Sequence, residues 1–316
     1  MTARKVYASS RKISFKWICA LICTACISAF LYLSDIFADS IIDTMGFVCL
    51  KIIPSLFPFM VISGVLLESG SISVYQRLFG KAFARIFHVS PSAAGAVILG
   101  FISGFPVGAH TVCDLYERGY LTKKEAENAL CVAHNTGPGF IVGVIGGALW
   151  KNVRFGVSLY IFQLISSALL SILLSGKNHS RKSNDPTPVN RPLAQSVVTA
   201  ITKASYSCLT LTAFIVFWKM LADGLVLLLP DGSPLGALLT AFLEFSSGAE
   251  SAARIGGRHG VVLCGFSVGF GGISALTQAA YKTGVSKLSC KRCFMFKFTQ
   301  GILCAILCAL SYNALF

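Results

Sequence analysis

Charge is what this sequence has least of. Only 13% of its 316 residues are Asp, Glu, Lys or Arg, and only 13 are acidic. With 54% hydrophobic residues and a mean hydropathy of +0.71, so few solvating groups exclude an ordinary water-soluble fold. The patterns of common enzymes are also missing: there is no HExxH, no GxSxG and no GxxxxGK[ST]. Cys113 lies close to His110 and Asp114, but residues crowded onto one helix do not arrange a nucleophile, a base and its orienting partner. No enzyme activity and no cofactor are expected.

Long apolar runs take the place of charge. A membrane span needs about 20 mostly apolar residues. Such stretches are clearest at Trp17–Leu33, Ile52–Leu67, Gly139–Trp150, Phe155–Leu174, Val197–Leu229 and Phe294–Phe316. The expected fold is an all-α polytopic membrane protein of roughly seven or eight spans, some of them broken. The lipid bilayer is the first partner this implies.

The net charge of +14 resembles a nucleic-acid footprint, yet its Lys and Arg residues sit in short segments between apolar runs, so no nucleic-acid partner is expected. Positive-inside topology accounts for them. Arg4, Lys5, Arg11, Lys12 and Lys16 place the N-terminus in the cytoplasm, with Asp35, Asp39 and Asp43 beyond the first span. Arg77, Lys81 and Arg85 return inside, as do Lys177, Arg181, Lys182 and Arg191, and Lys282, Lys287, Lys291, Arg292 and Lys297 form a further basic cluster. The first run exceeds most signal-peptide cores and lacks a clean small-x-small site, so an uncleaved anchor helix is expected in a multi-pass protein of the cell membrane.

Most of the twelve cysteines lie inside apolar runs, where they act as small hydrophobes. Cys290 and Cys293 form a CxxC, but no second pair has ligand spacing, so no metal is expected.

One stretch reads as a flexible linker: the cytoplasmic segment 176–194, rich in Ser, Asn and Pro. It follows a first half over 41–175 and precedes a second over 195–316, with residues 1–40 as cytoplasmic N-terminus and anchor. A shift of 165 residues lays Gly95, Val97, Gly100, Phe101, Gly104, Phe105, Tyr116 and Gly119 on Gly260, Val262, Gly265, Phe266, Gly269, Phe270, Tyr281 and Gly284. GFxxGF followed by Tyr-x-x-Gly at one distance in each half favours duplication. In repeat-built transporters the solute site lies where Gly or Pro interrupts helices at the repeat interface. The competing reading is that these glycines only permit close helix packing. Pro106 inside Gly104–Gly108 weakens it, by removing a backbone donor.

Other breaks follow. Pro54 and Pro58 predict a kinked or partly unwound start to the second span. Thr122-Lys123-Lys124-Glu125 is a capping-box pattern opening a short interfacial helix over Leu121–Ala133. Asn135-Thr136-Gly137-Pro138-Gly139 then interrupts the chain before another apolar run.

PSLFPFMVISGVLLESG from Pro54 to Gly70, GFISGFPVGAHTVCDLY from Gly100 to Tyr116, the Leu121–Leu130 helix and the Asn135 break stand in this order. Together they make the chain resemble the sporulation integral membrane proteins of the YlbJ type, within the larger nucleoside-recognition Gate family. GFGGISALTQ in the second half resembles that family's second repeat. The resemblance, running from about residue 45 to the C-terminus, implies broken or re-entrant helices related to concentrative nucleoside transporters, inverted repeats, and a role in building the spore and its cortex. A transporter of a small polar solute, nucleoside-like or other, is the first functional expectation. A non-transporting membrane scaffold or assembly factor is the alternative, and a homo-oligomer is left open.

Candidate solute-binding positions are Gly104, Pro106 and Gly108 with Asn135 and Thr136 in the first half, and Glu244, Ser274 and Gln278 in the second. The uncharged ones offer the donors and acceptors that a sugar or base requires. Glu244 borders a polar interruption and suits a cation or hydroxyls, against the alternative of a helix end in water. Glu250 is expected to pair with Arg254 at i, i+4, and His110 with Asp114.

Overall fold

The computed structural model describes residues 3–174, 191–230 and 232–316, with side chains from Phe15 onward. Most of the expected linker, residues 175–190, therefore lies outside the described residues, as do the side chains of Arg4, Lys5, Arg11 and Lys12. The described chain is all α, and no strand occurs among the described residues.

Two compact units divide it, residues 1–43 and 44–316. The first contains α1 (Ala3–Tyr32) and most of α2 (Ser34–Phe47). Within α1 the stretch Phe15–Tyr32 is long and apolar enough to cross a membrane, and Trp17, Leu21 and Leu31 are exposed, as suits a lipid-solvated helix.

The second unit opens with a π-helical turn, Val48–Ile52, running into α3 (Ile53–Glu68), which has Pro54 in its first turn and Pro58 inside. Neither proline can donate to the helical ladder, and the missing donor of Pro54 falls next to the wider π turn. The irregularity expected from the two prolines takes the form of this π turn within the apolar stretch Ser34–Glu68. Next come α4 (Ile72–Ile86), a 3₁₀ turn at Pro91–Ala93, α5 (Ala94–Ser103), α6 (Val107–Glu117) and α7 (Lys123–Ala133). The Thr122 side chain accepts from the Glu125 amide at 3.3 Å while Glu125 accepts from the Thr122 amide at 2.9 Å, which is the expected capping box. A second π-helix, Gly139–Leu149, leads to α8 (Val153–Leu174). The remaining helices are α9 (Leu193–Val226), α10 (Pro234–Leu243), α11 (Phe245–Ile255), α12 (Gly257–Phe270), α13 (Gly272–Val285) and α14 (Lys291–Leu315).

Six stretches among the described residues are long and apolar enough to span, and a seventh arises if α4 and Pro91–Ser103, bent by 118°, count as one broken span. In lipid no hydrophobic drive pulls one helix onto another, so small residues set the contacts. An ideal Cβ on Gly64 of α3 would lie 2.8 Å from that of Ala200 on α9, and Cβ atoms on Gly265 and Gly269 of α12 would meet Cys308 Sγ at 2.7 Å and the Gln300 carbonyl of α14 at 2.8 Å.

The first GFxxGF segment runs into a break, whereas the second lies at the end of α12, which Gly271 alone separates from α13. α5 stops at Ser103 and α6 starts at Val107; α12 stops at Phe270 and α13 starts at Gly272. The first interruption lasts three residues and the second only one, and α12 and α13 together form one apolar stretch, Gly257–Val285, long enough to span.

Candidate functional site

Breaking a helix inside a bilayer leaves backbone groups that only protein can satisfy. Between α7 and the Gly139–Leu149 helix the break runs from His134 to Pro138. Here Asn135 Nδ2 donates to the Val132 carbonyl at 2.5 Å, capping the last turn of α7. Gln163 of α8 holds the next peptide at both ends: its Oε1 accepts from Thr136 N at 3.2 Å, and its Nε2 donates to the Thr136 carbonyl at 2.9 Å. Thr136 Oγ1 in turn donates to the Val268 carbonyl of α12 at 3.4 Å.

Behind this break lies a buried lysine. Lys297 of α14 is fully buried, and its Nζ donates to Asn135 Oδ1 at 2.8 Å and Gln300 Oε1 at 2.7 Å. Gln300 Nε2 donates to Asn135 Oδ1 and to the Gln163 carbonyl, both at 3.1 Å. Asn135 and Gln300 stand 165 residues apart, the same shift that aligns the two GFxxGF segments. The basic cluster in which Lys297 was counted therefore ends before it: its amine faces a core of amides, and no carboxylate among the described residues pairs with it. Beside Asn135, His134 packs its ring on Phe105 at 4.7 Å, and neither of its nitrogens has a partner.

The second break carries Glu244. Its carboxylate is fully buried and caps α11, accepting from Ser246 N at 3.1 Å, Ser247 N at 2.7 Å and Ser246 Oγ at 2.6 Å. Ser274 of α13 adds a hydroxyl at 3.4 Å. The helix-end alternative holds in that Glu244 is an N-cap, but the end is buried in protein and not in water. The partial positive charge at the start of α11 favours the anion there. Phe105 and Phe245, 5.2 Å apart, meet near both breaks: the ring of Phe105 also touches His134, and Phe245 directly follows Glu244.

Residues 49–151 match the family model for Gate, described as nucleoside recognition. The chain carries a Gate domain. Over 308 aligned residues it is 22% identical to the sporulation integral membrane protein YlbJ of Bacillus subtilis (strain 168), covering 84% of this chain and 75% of that protein. No solved structure matches.

Within the Gate domain, Gly104 and Gly108 pack on the break. A Cβ on Gly104, whose φ is +75°, would lie 2.3 Å from Gly137 N, and one on Gly108 would lie 2.1 Å from the Ala133 carbonyl. Pro106 ends the α5 interruption, and α6 starts one residue later. The structure therefore gathers Gly104, Gly108, Asn135 and Thr136 at one break, and Glu244 and Ser274 at the other. Gln278, one turn beyond Ser274, is buried with neither end of its amide hydrogen-bonded. Glu250 pairs with Arg254 at 2.9 Å as expected, whereas Asp114 pairs with Lys282 at 3.2 Å.

Sequence reading missed Gln163, Lys297, Gln300 and His134. A usable signal existed for one of them, since the repeat shift puts Gln300 on Asn135. Gln163 predicts a stability effect. Gln163→Leu strips the partners from both backbone groups of Thr136, and at ~1–3 kcal/mol for each buried group left unpaired the loss is about 2–6 kcal/mol. Thermal unfolding in detergent should show a clear fall in midpoint, and an unchanged midpoint would mean that the clamp carries no weight.

Proposed function

We propose that this Gate-domain protein carries a small polar solute across the cell membrane during spore formation, in support of the cortex, with its N-terminus in the cytoplasm. The single observation supporting this reading is the fully buried Lys297, held by Asn135 and Gln300 without a carboxylate partner where helix breaks meet. Ionisable groups at membrane depth are expensive, and they recur where solutes or ions pass. Similarity to a sporulation membrane protein supports the biological setting. Two buried side chains without hydrogen-bond partners, His134 beside Asn135 and Gln278 on α13, suit a solute offering both donors and acceptors.

A second reading is a membrane scaffold that kept the fold. It is favoured by one observation: Glu244, Asn135 and Thr136 already have protein partners, as structural groups should. Deletion of the gene in its host, complemented with the parent or with Glu244→Ala, Asn135→Ala and Gln278→Ala at matched membrane levels, separates the two. The transporter reading expects heat-resistant spores to stay at the deletion level, at least tenfold below the parent, for one or more variants. Full rescue by all three would favour the scaffold, and normal spores after deletion would remove the sporulation role.

A further inference from the structure

α4 is built for a membrane surface. Arg77, Lys81 and Arg85 recur every four residues, so they share one stripe. All three are exposed, beside the exposed apolar residues Val74, Leu78, Phe79 and Ile86. The helix bends away from the next apolar segment by 118°, which fits a helix lying in the interface and not crossing it. It starts directly after α3, where the apolar stretch Ser34–Glu68 ends, so its first turn sits at head-group level.

There the structure opens two small adjoining clefts that share Leu67, Thr111, Leu115 and Arg118 as walls. The larger is also lined by Ser73, Gln76 and Ser92. Gln76 donates Nε2 to the Pro91 carbonyl at 3.2 Å, and its Oε1 faces Gly95. The acids nearby are already neutralised: Glu68 by Arg191 at 2.7 Å and Lys203 at 2.5 Å, and Asp114 by Lys282 at 3.2 Å. The side chain of Arg118, exposed at the end of α6, has no ion pair or hydrogen bond among the described residues, and neither do those of Arg77, Lys81 and Arg85. The result is a largely apolar cleft with Ser73, Gln76, Ser92 and Thr111 among its walls, a free guanidinium at its edge and a stripe of unpaired cations on the helix beside it.

We propose that this pocket seats the phosphate of an anionic phospholipid, with Arg118 on the phosphate oxygens and the acyl chains along the exposed apolar face of α4. A guanidinium matches the paired oxygens of a phosphate, and clustered Lys and Arg add attraction for an anionic leaflet. The site is separate from the buried break and makes no use of its residues.

The test is native mass spectrometry of the purified full chain in detergent, titrated with phosphatidylglycerol or phosphatidylcholine. Phosphatidylglycerol should be retained at least fivefold better by the parent and by Arg154→Gln, a variant at an exposed position on α8. Arg118→Gln should lose that preference while keeping the parent's unfolding midpoint. Equal retention of the two lipids, or an unchanged preference in Arg118→Gln, overturns the proposal. Complete displacement of the lipid by an equal concentration of glycerol 3-phosphate also overturns it and assigns the pocket to a soluble phosphate.

Discussion

Lys297→Met should leave the protein as stable as the parent, or more so, while abolishing its function. An ammonium taken out of water costs several kcal/mol, and a buried charge replaced by an apolar side chain of similar volume is often neutral or stabilising. Lys297 recovers part of that cost from two neutral amide oxygens, at about 1.5–3 kcal/mol for each hydrogen bond to a charged group. Methionine fills much of the same space, and Asn135 Oδ1 keeps its bond from Gln300 Nε2, while Gln300 Oε1 loses its donor at ~1–3 kcal/mol, a cost set against the relief of the buried charge. Stability alone therefore gives little reason for a lysine here. If the amine acts on a solute, heat-resistant spores from cells carrying Lys297→Met should fall to the deletion level, more than tenfold below the parent. The unfolding midpoint in detergent should stay within a few degrees of the parent or rise. A large fall in midpoint with unimpaired spores would make Lys297 a structural residue and remove the main support for transport.

How legible this arrangement is in the sequence depends on which physical signal each residue gives. The breaks can be read because Gly and Pro interrupt apolar runs visibly: the 134–138 interruption, the break after the first GFxxGF segment and the π turn before Pro54 are all present in the structure. Thr122 and Glu125 give a capping box because both partners lie within one turn. Gln163 gives no such signal, since a lone amide in an apolar run looks the same whether it faces lipid or clamps a peptide 27 residues away. Lys297 is actively misleading. It follows Lys291 and Arg292, so charge bookkeeping assigns it to the membrane surface, whereas the helix carries it into the core. Glu244 is ambiguous for a related reason: a carboxylate at a helix start reads alike in water and in protein, and only packing of α10, α11 and α13 decides between them. Glycine has the same double meaning, as a hinge over a solute or as a place for another backbone, and Gly104 and Gly108 are occupied in the second way.

That occupancy gives Gly104→Ala a large expected loss of stability. Gly104 ends α5 with φ +75° and ψ −164°, a region open essentially to glycine, where another residue costs ~1–3 kcal/mol. Its Cβ would also stand 2.3 Å from Gly137 N and 2.8 Å from Gly137 Cα, both backbone atoms that no rotamer change can move. Overpacking of this kind adds ~1–3 kcal/mol, for a total of about 3–5 kcal/mol against the ~5–15 kcal/mol of a typical fold. Two comparisons isolate the causes. Gly119 shares the positive φ, at +79°, but has nothing within 4 Å, so Gly119→Ala should show the conformational cost alone, about 1 kcal/mol. Gly143 also has nothing within 4 Å and its φ is not positive, so Gly143→Ala should be close to neutral. Unfolding midpoints in detergent should therefore fall in the order Gly143→Ala, Gly119→Ala, Gly104→Ala, with Gly104→Ala also depleted from the membrane. If Gly104→Ala matched Gly119→Ala, the backbone of the break would not be wedged against Gly104. The fit between α5 and the 134–138 segment would then be loose enough for the break to move as a hinge.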